Sequence, residues 1–110
     1  MLPRLNRLTK KKEFEKTYQQ GKTVGGEFLL VKISPNQDNK TRVGIVVSKK
    51  VAKKATERNK IKRRIREIVR SEVLEGKTAG DIVIIAKRSS EKSSYQELKA
   101  DWENILLKLS

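Results

Sequence analysis

Apolar side chains recur at helical spacing in three segments of the chain, and each segment predicts a helix. In the first, KKEFEKTYQQ, Phe14 and Tyr18 lie one helical turn apart. The second predicted helix runs from Thr56 to Leu74. The third, SYQELKADWENILLKL, begins with Ser94 and Glu97 at the spacing of a capping box. Its apolar face holds Leu98, Trp102, Ile105, Leu106 and Leu109.

Runs of β-branched and apolar residues predict the strands. EFLLVKI (27–33) and RVGIVVS (42–48) are separated by a turn-forming SPNQDNKT, so we expect the two runs to pair antiparallel. A short extended piece around Thr23 and Val24 precedes them. DIVIIA (81–86) is continuously apolar, as in a strand covered on both faces. The predicted order, α-β-β-β-α-β-α, is that of a single-domain α+β sandwich in which one strand–helix–strand crossover carries the second helix.

The charge of the chain sets it apart from an ordinary small domain. Its 110 residues are enough for one core, and they include 27 Lys and Arg against 13 Asp and Glu, a net charge of +14. Such a charge favours a polyanionic partner. No apolar run approaches the roughly 18 residues that cross a bilayer, and the basic start lacks the apolar segment of a secretory signal. We therefore expect a cytoplasmic protein with no membrane partner, which the absence of cysteine also fits.

Missing residue types argue against catalysis by this chain alone. It has no His and no Cys, so the commonest general base, the commonest metal ligand and the thiol nucleophile are absent. The Lys, Tyr, Ser and carboxylate residues form no recognisable pair of nucleophile and base. We predict no catalytic residue and no metal-ligand set in the chain.

The positive charge is concentrated in the second predicted helix and just before it. Residues 49–70 hold eleven basic and two acidic side chains, a net +9 of the total +14. At about 100° per residue, one face of the helix gathers Ile61, Ile65, Ile68 and Val69. The opposite face gathers Asn59, Lys62, Arg63, Arg66 and Arg70. The helix is therefore predicted to bury its isoleucines against the sheet and to turn its arginines outward.

This basic face could lie against solvent, a membrane surface or nucleic acid. A simply solvated helix gains from opposite charges at i,i+4 and loses from like charges, which disfavours it here. A membrane-surface helix is disfavoured because the apolar face lacks Trp and Phe and is needed by the strands. Nucleic acid is favoured, since the planar guanidinium of Arg suits bidentate contacts to phosphate.

Two motifs carry a resemblance to a known family. ERNKIKRRIRE, preceded by VSKKVAKKA, resembles the signature of the bacterial ribonuclease P protein subunit. The resemblance extends over nearly the whole chain, through NRLTKKKEFEKTY, RVGIVVSKK, DIVIIAK and the last predicted helix. It implies one RNA-binding domain over residues 1–110, with a fold like domain 2 of ribosomal protein S5 and a left-handed βαβ crossover carrying the basic helix.

The resemblance also implies a function. The family is the protein partner of a catalytic RNA that removes the 5′ leader of precursor tRNA by hydrolysis, so the chain would be one subunit of an endoribonuclease. The RNA would hold most of the Mg²⁺ and the active site. The implied partners are that RNA and precursor tRNA, with no obligate protein partner.

The candidate site residues follow from the motifs. The RNA-binding set is Lys49, Lys50, Lys53, Lys54, Arg58, Asn59, Lys60, Lys62, Arg63, Arg66 and Arg70. The cleft for the single-stranded leader is expected to use Phe14, Tyr18, Leu30, Lys32, Asn59 and Lys62. Phe14 and Tyr18 could instead be ordinary core residues, and Leu30 and Lys32 are alternatives for a third cleft contact. A general RNA- or ribosome-binding protein and a nucleoid DNA-binding protein remain open as competing functions.

Overall fold

Three α-helices and a four-stranded sheet build the part of the chain that the structure, a computed structural model, describes: residues 11–35, 41–75 and 80–109. The helices are α1 (Lys11–Gln20), α2 (Ala55–Glu75) and α3 (Tyr95–Leu109), with a short 3₁₀ helix at Arg88–Lys92. The strands are β1 (Lys22–Gly25), β2 (Leu29–Ser34), β3 (Thr41–Val46) and β4 (Gly80–Ala86). The predicted order of elements is confirmed, including the short strand around Thr23, and the predicted basic helix matches α2 to within one residue at each end.

The strand order, β1-β2-β4-β3, contradicts one expectation from the sequence. β4 lies between β2 and β3, antiparallel to the first and parallel to the second, so the predicted antiparallel pairing of β2 with β3 is wrong. The physical reason lies in the composition of β4, in which every residue except Ile85 is buried. An interior position gives this apolar strand a neighbouring strand on each edge and a helix layer on each face. The predicted crossover is present as β3–α2–β4; its handedness stays a prediction.

Each face of the sheet carries its own helix layer. Val31, Val43 and Ile84 share one face and belong to a single core cluster with residues of α2 and α3. Because side chains alternate along a strand, Lys32 and Val83 point to the opposite face, where α1 packs against β2 and β4. The basic helix and α1 therefore cover opposite sides of the sheet.

Helices α2 and α3 bury the faces that their periodicity predicts. In α2 the buried set is Ile61, Ile65, Ile68 and Val69, and in α3 it is Leu98, Trp102 and Ile105, with Leu106 partly buried against the same cluster. The predicted capping box also forms: the Ser94 N–H donates to Glu97 Oε1 at 3.0 Å, and the Glu97 N–H donates to Ser94 Oγ at 3.1 Å. The side chain of Leu109 lies outside the described part of the structure.

One buried carboxylate joins α3 to the turn between β1 and β2. Asp101 is 6% exposed, and its oxygens accept hydrogen bonds from the N–H groups of Glu27 (2.7 Å), Phe28 (3.0 Å) and Leu29 (2.9 Å). A Cβ at Gly26 would overlap this carboxylate, so the turn approaches α3 as closely as it does only with glycine there. Asp101 thereby fixes α3 on the sheet.

We predict that Asp101→Ala lowers the free energy of unfolding by about 2–4 kcal/mol, because it leaves three N–H groups of the turn without their acceptor. Urea unfolding followed by circular dichroism would measure the change. Glu103→Ala, an exposed position on the same helix, is the matched control and should change stability by about 0.5 kcal/mol or less. Equal effects of the two substitutions would contradict the role given to Asp101.

Candidate nucleic-acid interface

The outer face of α2 is basic and open to solvent. Asn59, Arg63 and Arg70 are exposed, and Lys62 and Arg66 are half-buried beside them. The four apolar residues on the inner face are at most 7% exposed, so the packing of the helix on the sheet holds the basic groups outward. The predicted orientation of α2 is confirmed by this burial pattern.

Arg58 differs from the other arginines of the predicted RNA-binding set, because it contacts the protein itself. Its Nη1 donates to the carbonyl oxygens of Ala52 at 3.0 Å and Lys53 at 2.7 Å. These bonds tie the first turn of α2 to the segment that precedes it. The geometry therefore gives Arg58 an anchoring role.

The segment between β3 and α2 exposes four lysines around an apolar anchor. Val51 and Ala52 are each 3% exposed and belong to the core, and the N–H groups of both residues donate to the Ser48 carbonyl at 3.1 and 3.4 Å. The side chains on either side are exposed, namely Lys49, Lys50, Lys53 and Lys54. A cavity of about 520 Å³ lies among them, next to the amino terminus of α2, whose dipole adds to the positive potential.

Arg88 is a basic residue of this region that the sequence analysis missed. It lines the same cavity, together with Glu57 and Glu91. β3 and β4 are parallel neighbours, so the residues that follow β4 emerge at the same edge of the sheet as the lysines that follow β3. Only knowledge of that pairing could have placed Arg88 here.

On the opposite face of the sheet, Tyr18 and Lys32 form a cationic–aromatic pair. The Lys32 Nζ lies 4.4 Å from the centroid of the Tyr18 ring and donates to the Tyr18 carbonyl oxygen at 2.7 Å. Tyr18 is 48% exposed, whereas its neighbour Thr17 is fully buried and anchors α1 to the sheet. The core interpretation of Tyr18 is therefore wrong. The side chain of Phe14 lies outside the described part of the structure.

Leu30 lies beside this pair in a partly exposed apolar row. It is opposite Ile85 of β4, which is in turn opposite Val46 of β3, and all three side chains are half-buried. Lys32 and Leu30 occupy the same face of β2, so both of the proposed cleft contacts border the same surface. Ile85 and Val46 are further wall residues that the sequence analysis missed, because it paired the wrong strands.

The structure divides the predicted cleft set into two groups. Tyr18, Leu30 and Lys32 lie together on the α1 face of the sheet, whereas Asn59 and Lys62 lie on α2, which packs on the other face. Arg64 donates from Nη1 to the carbonyl oxygen of Ser93, just before α3, and Lys62 lies on the opposite side of the helix. The described members of the set therefore stand on different layers of the sandwich, and their use in one cleft stays a prediction.

Comparison with known proteins gives the family. The family model described as Ribonuclease P matches residues 2–110. The chain belongs to the ribonuclease P protein family. Among curated relatives, the ribonuclease P protein component of a Pseudanabaena species is 42% identical over 98% of this chain and 94% of its own length. That of Clostridium botulinum is 38% identical, over 94% of this chain and 93% of its own length.

Solved structures of ribonuclease P proteins share the fold. The protein from Staphylococcus aureus superposes with a TM-score of 0.83 at 30% identity, covering 96% of this chain and 95% of its own. The protein from Thermotoga maritima gives a TM-score of 0.80 at 30% identity, covering 94% and 97%. The mixed α+β architecture and the family resemblance found in the sequence are confirmed. None of the helices within residues 11–35, 41–75 and 80–109 is long and apolar enough to span a bilayer.

The contrast between two arginines of α2 gives a stability prediction. Arg58→Ala should lower the free energy of unfolding by about 1–2 kcal/mol, because two carbonyl groups lose a charged donor. Arg63→Ala should change it by about 0.5 kcal/mol or less, because the side chain is exposed. Thermal unfolding at fixed ionic strength would compare the stabilities of the two variants with that of the wild-type protein. A larger loss in Arg63→Ala than in Arg58→Ala would contradict the assigned roles.

Proposed function

We propose that the chain is the protein subunit of ribonuclease P, which binds the catalytic RNA and the 5′ leader of precursor tRNA while the RNA carries out the hydrolysis. The observation that carries the proposal is the outward basic face of α2, in a chain that belongs to this family. The proposal requires two RNA partners and no second protein chain. It places the protein in the cytoplasm, which suits a chain without cysteine.

The catalytic RNA is assigned to α2 and the lysine segment before it. Arg63, Arg66 and Arg70 are spaced so that their guanidinium groups follow one another along the outer face of the helix. Planar guanidinium groups contact phosphate oxygens in a bidentate manner, and each neutralised phosphate releases condensed counterions. A rigid row of this kind suits a folded RNA, whose phosphates are held at fixed positions.

The leader is assigned to the α1 face of the sheet. A single-stranded segment binds best where exposed aromatic faces lie next to positive charge, and Tyr18 with Lys32 provides that combination. The half-exposed apolar row of Leu30, Ile85 and Val46 extends the surface without any base-specific donor or acceptor. Such a surface would accept many leader sequences.

Magnesium is assigned mainly to the RNA. Within the described residues there is no group of three or more His, Cys, Asp or Glu side chains placed to hold a metal ion. What the protein supplies is positive charge, which reduces the repulsion between the phosphates of enzyme RNA and substrate. Less magnesium is then needed for the same neutralisation.

Reconstitution with the cognate RNA subunit tests the proposal. We expect the purified chain alone to leave precursor tRNA intact, and we expect its addition to the RNA subunit to lower the magnesium concentration that gives half-maximal cleavage. Initial rates across a magnesium titration at constant monovalent salt would measure this, since salt itself changes affinity steeply. An identical magnesium dependence with and without the protein would reject the proposal.

Tyr18→Ala separates the proposed function from general RNA binding. It should weaken binding of the holoenzyme to leader-bearing precursor tRNA by about 1–3 kcal/mol, because a leader base loses the aromatic ring on which it stacks. The affinity for mature tRNA should not change. Fluorescence titration of both substrates would measure this. Tyr18→Phe keeps the ring and should behave as wild type. Equal losses for precursor and mature tRNA would instead favour a general RNA- or ribosome-binding protein.

A further inference from the structure

Three cavities follow one another along the side of α2 that faces the 3₁₀ helix and α3. The first, of about 520 Å³, lies by the lysine segment; the second, of about 260 Å³, shares Glu57 and Glu91 with it. The third, of about 340 Å³, shares Lys60 and Arg64 with the second. Because neighbouring cavities share lining residues, we describe them together as one surface groove, which we call the α2–α3 groove.

The walls of the α2–α3 groove are strongly basic. Nine lysine or arginine side chains line its three cavities, against three glutamates. From Glu57 to Glu67 the groove follows α2 for about 15 Å, at a rise of about 1.5 Å per residue. A positive groove of this length suits the backbone of an extended polyanion better than a single bound ion.

An exposed aromatic ring stands at the far end of the α2–α3 groove. Tyr95 is 40% exposed and lines the third cavity with Lys60, Arg63, Arg64 and Glu67. It is the first residue of α3 and directly follows Ser94, whose capping box with Glu97 fixes the start of that helix. The Arg64 Nη1 donates to the Ser93 carbonyl oxygen at 3.4 Å, and this bond links the residues just before α3 to α2. The backbone that carries the ring is thus fixed at the start of α3 and tied to α2, beside the cationic side chains of the third cavity.

We propose that the α2–α3 groove binds an unpaired segment of the catalytic RNA, with one base stacked on Tyr95 and the adjacent phosphates beside Lys60 and Arg63. The proposal rests on the proposed function and extends it to a second single-stranded contact. An exposed tyrosine beside cationic side chains is the combination that stacks bases without reading their sequence. An acidic peptide would satisfy the charge but would leave the ring without a flat partner.

The position of the groove decides which RNA occupies it. Tyr18 and Lys32, the surface assigned to the leader, lie on the α1 face of the sheet, while the α2–α3 groove lies in the helix layer on the opposite face. A leader held at Tyr18 would have to pass around the sheet to reach Tyr95. The catalytic RNA is already assigned to the outer face of α2, and Arg63 belongs to both that face and the groove.

The first experiment measures affinity for the isolated catalytic RNA at fixed salt. Tyr95→Ala should weaken binding by about 5- to 150-fold, which is the loss of one stacked base, and Tyr95→Phe should remain within about twofold of wild type. Gln96→Ala, an exposed neighbour that does not line the groove, is the matched control and should bind as wild type. Tyr18→Ala should also bind this RNA as wild type.

The second experiment locates the contact directly, and it uses the absence of cysteine from the chain. A photo-crosslinker attached to the single thiol of Tyr95→Cys should react with an unpaired nucleotide of the catalytic RNA in the assembled holoenzyme. The same label on Tyr18→Cys should react with the leader of bound precursor tRNA. Circular dichroism of each variant would establish that α3 still forms.

The outcomes separate the two proposals. If wild-type protein fails to bind the catalytic RNA, the proposed function itself is rejected. If wild-type protein binds but Tyr95→Ala binds equally well, or if Tyr95→Phe loses as much as Tyr95→Ala, stacking in the α2–α3 groove is rejected and the proposed function stands. If Tyr95→Ala unfolds, the crosslink decides, and a crosslink from position 95 to the leader or to paired nucleotides alone overturns the inference.

Discussion

The burial of four apolar residues of α2 against the sheet is the interaction on which the rest of the structure depends. Burying Ile61, Ile65, Ile68 and Val69 removes most of their surface from water, at roughly 1.5–3 kcal/mol for each side chain before entropy costs. This gain must exceed the repulsion among basic groups on the other side of the same helix. Because the anchor is apolar, it is insensitive to salt, whereas the repulsion and the proposed RNA contacts both weaken as salt rises. The helix can therefore stay docked while its partner binds and leaves.

The fold uses its positive charge in two ways. Some basic side chains donate hydrogen bonds to the chain's own carbonyl oxygens. Arg58 donates to those of Ala52 and Lys53. The Nζ atoms of Lys87 and Lys108 donate to the carbonyl oxygens of Gly26 at 2.6 Å and Gly25 at 3.1 Å, where β1 ends and the turn to β2 begins. These side chains keep their positive charge, but the bonds restrict their positions and satisfy backbone carbonyls. Others lie in solvent because the buried Val51 and Ala52 between them anchor the segment to the core, namely Lys49, Lys50, Lys53 and Lys54.

Local sequence signals were sufficient for the helices but not for the sheet. The period of α2, the capping box of Ser94 and Glu97 and the apolar face of α3 are set by residues within a few positions of one another, and all three appear in the structure as predicted. The position of β4 between β2 and β3 depends on contacts between segments distant in sequence, which no local pattern encodes. The same limit explains the site. Arg88, Ile85 and Val46 were missed because each reaches its surface only through the pairing of β4. The anchoring bonds of Arg58 were missed because hydrogen bonds to the chain's own carbonyls cannot be read from charge.

A sheet with a helix layer on each face separates the two surfaces that we propose bind RNA. Tyr18 with Lys32 on one face and Tyr95 with Lys60 on the other are each exposed aromatic groups beside a cation, and a four-stranded sheet with buried β4 at its centre separates them. The rigid core prevents the two surfaces from merging, so contacts on one face do not compete with contacts on the other. Asp101, by fixing α3 to the β1–β2 turn, fixes the helix that starts with Tyr95 relative to the strand that carries Lys32. The spacing between the two proposed RNA-binding surfaces is thus set by the protein core.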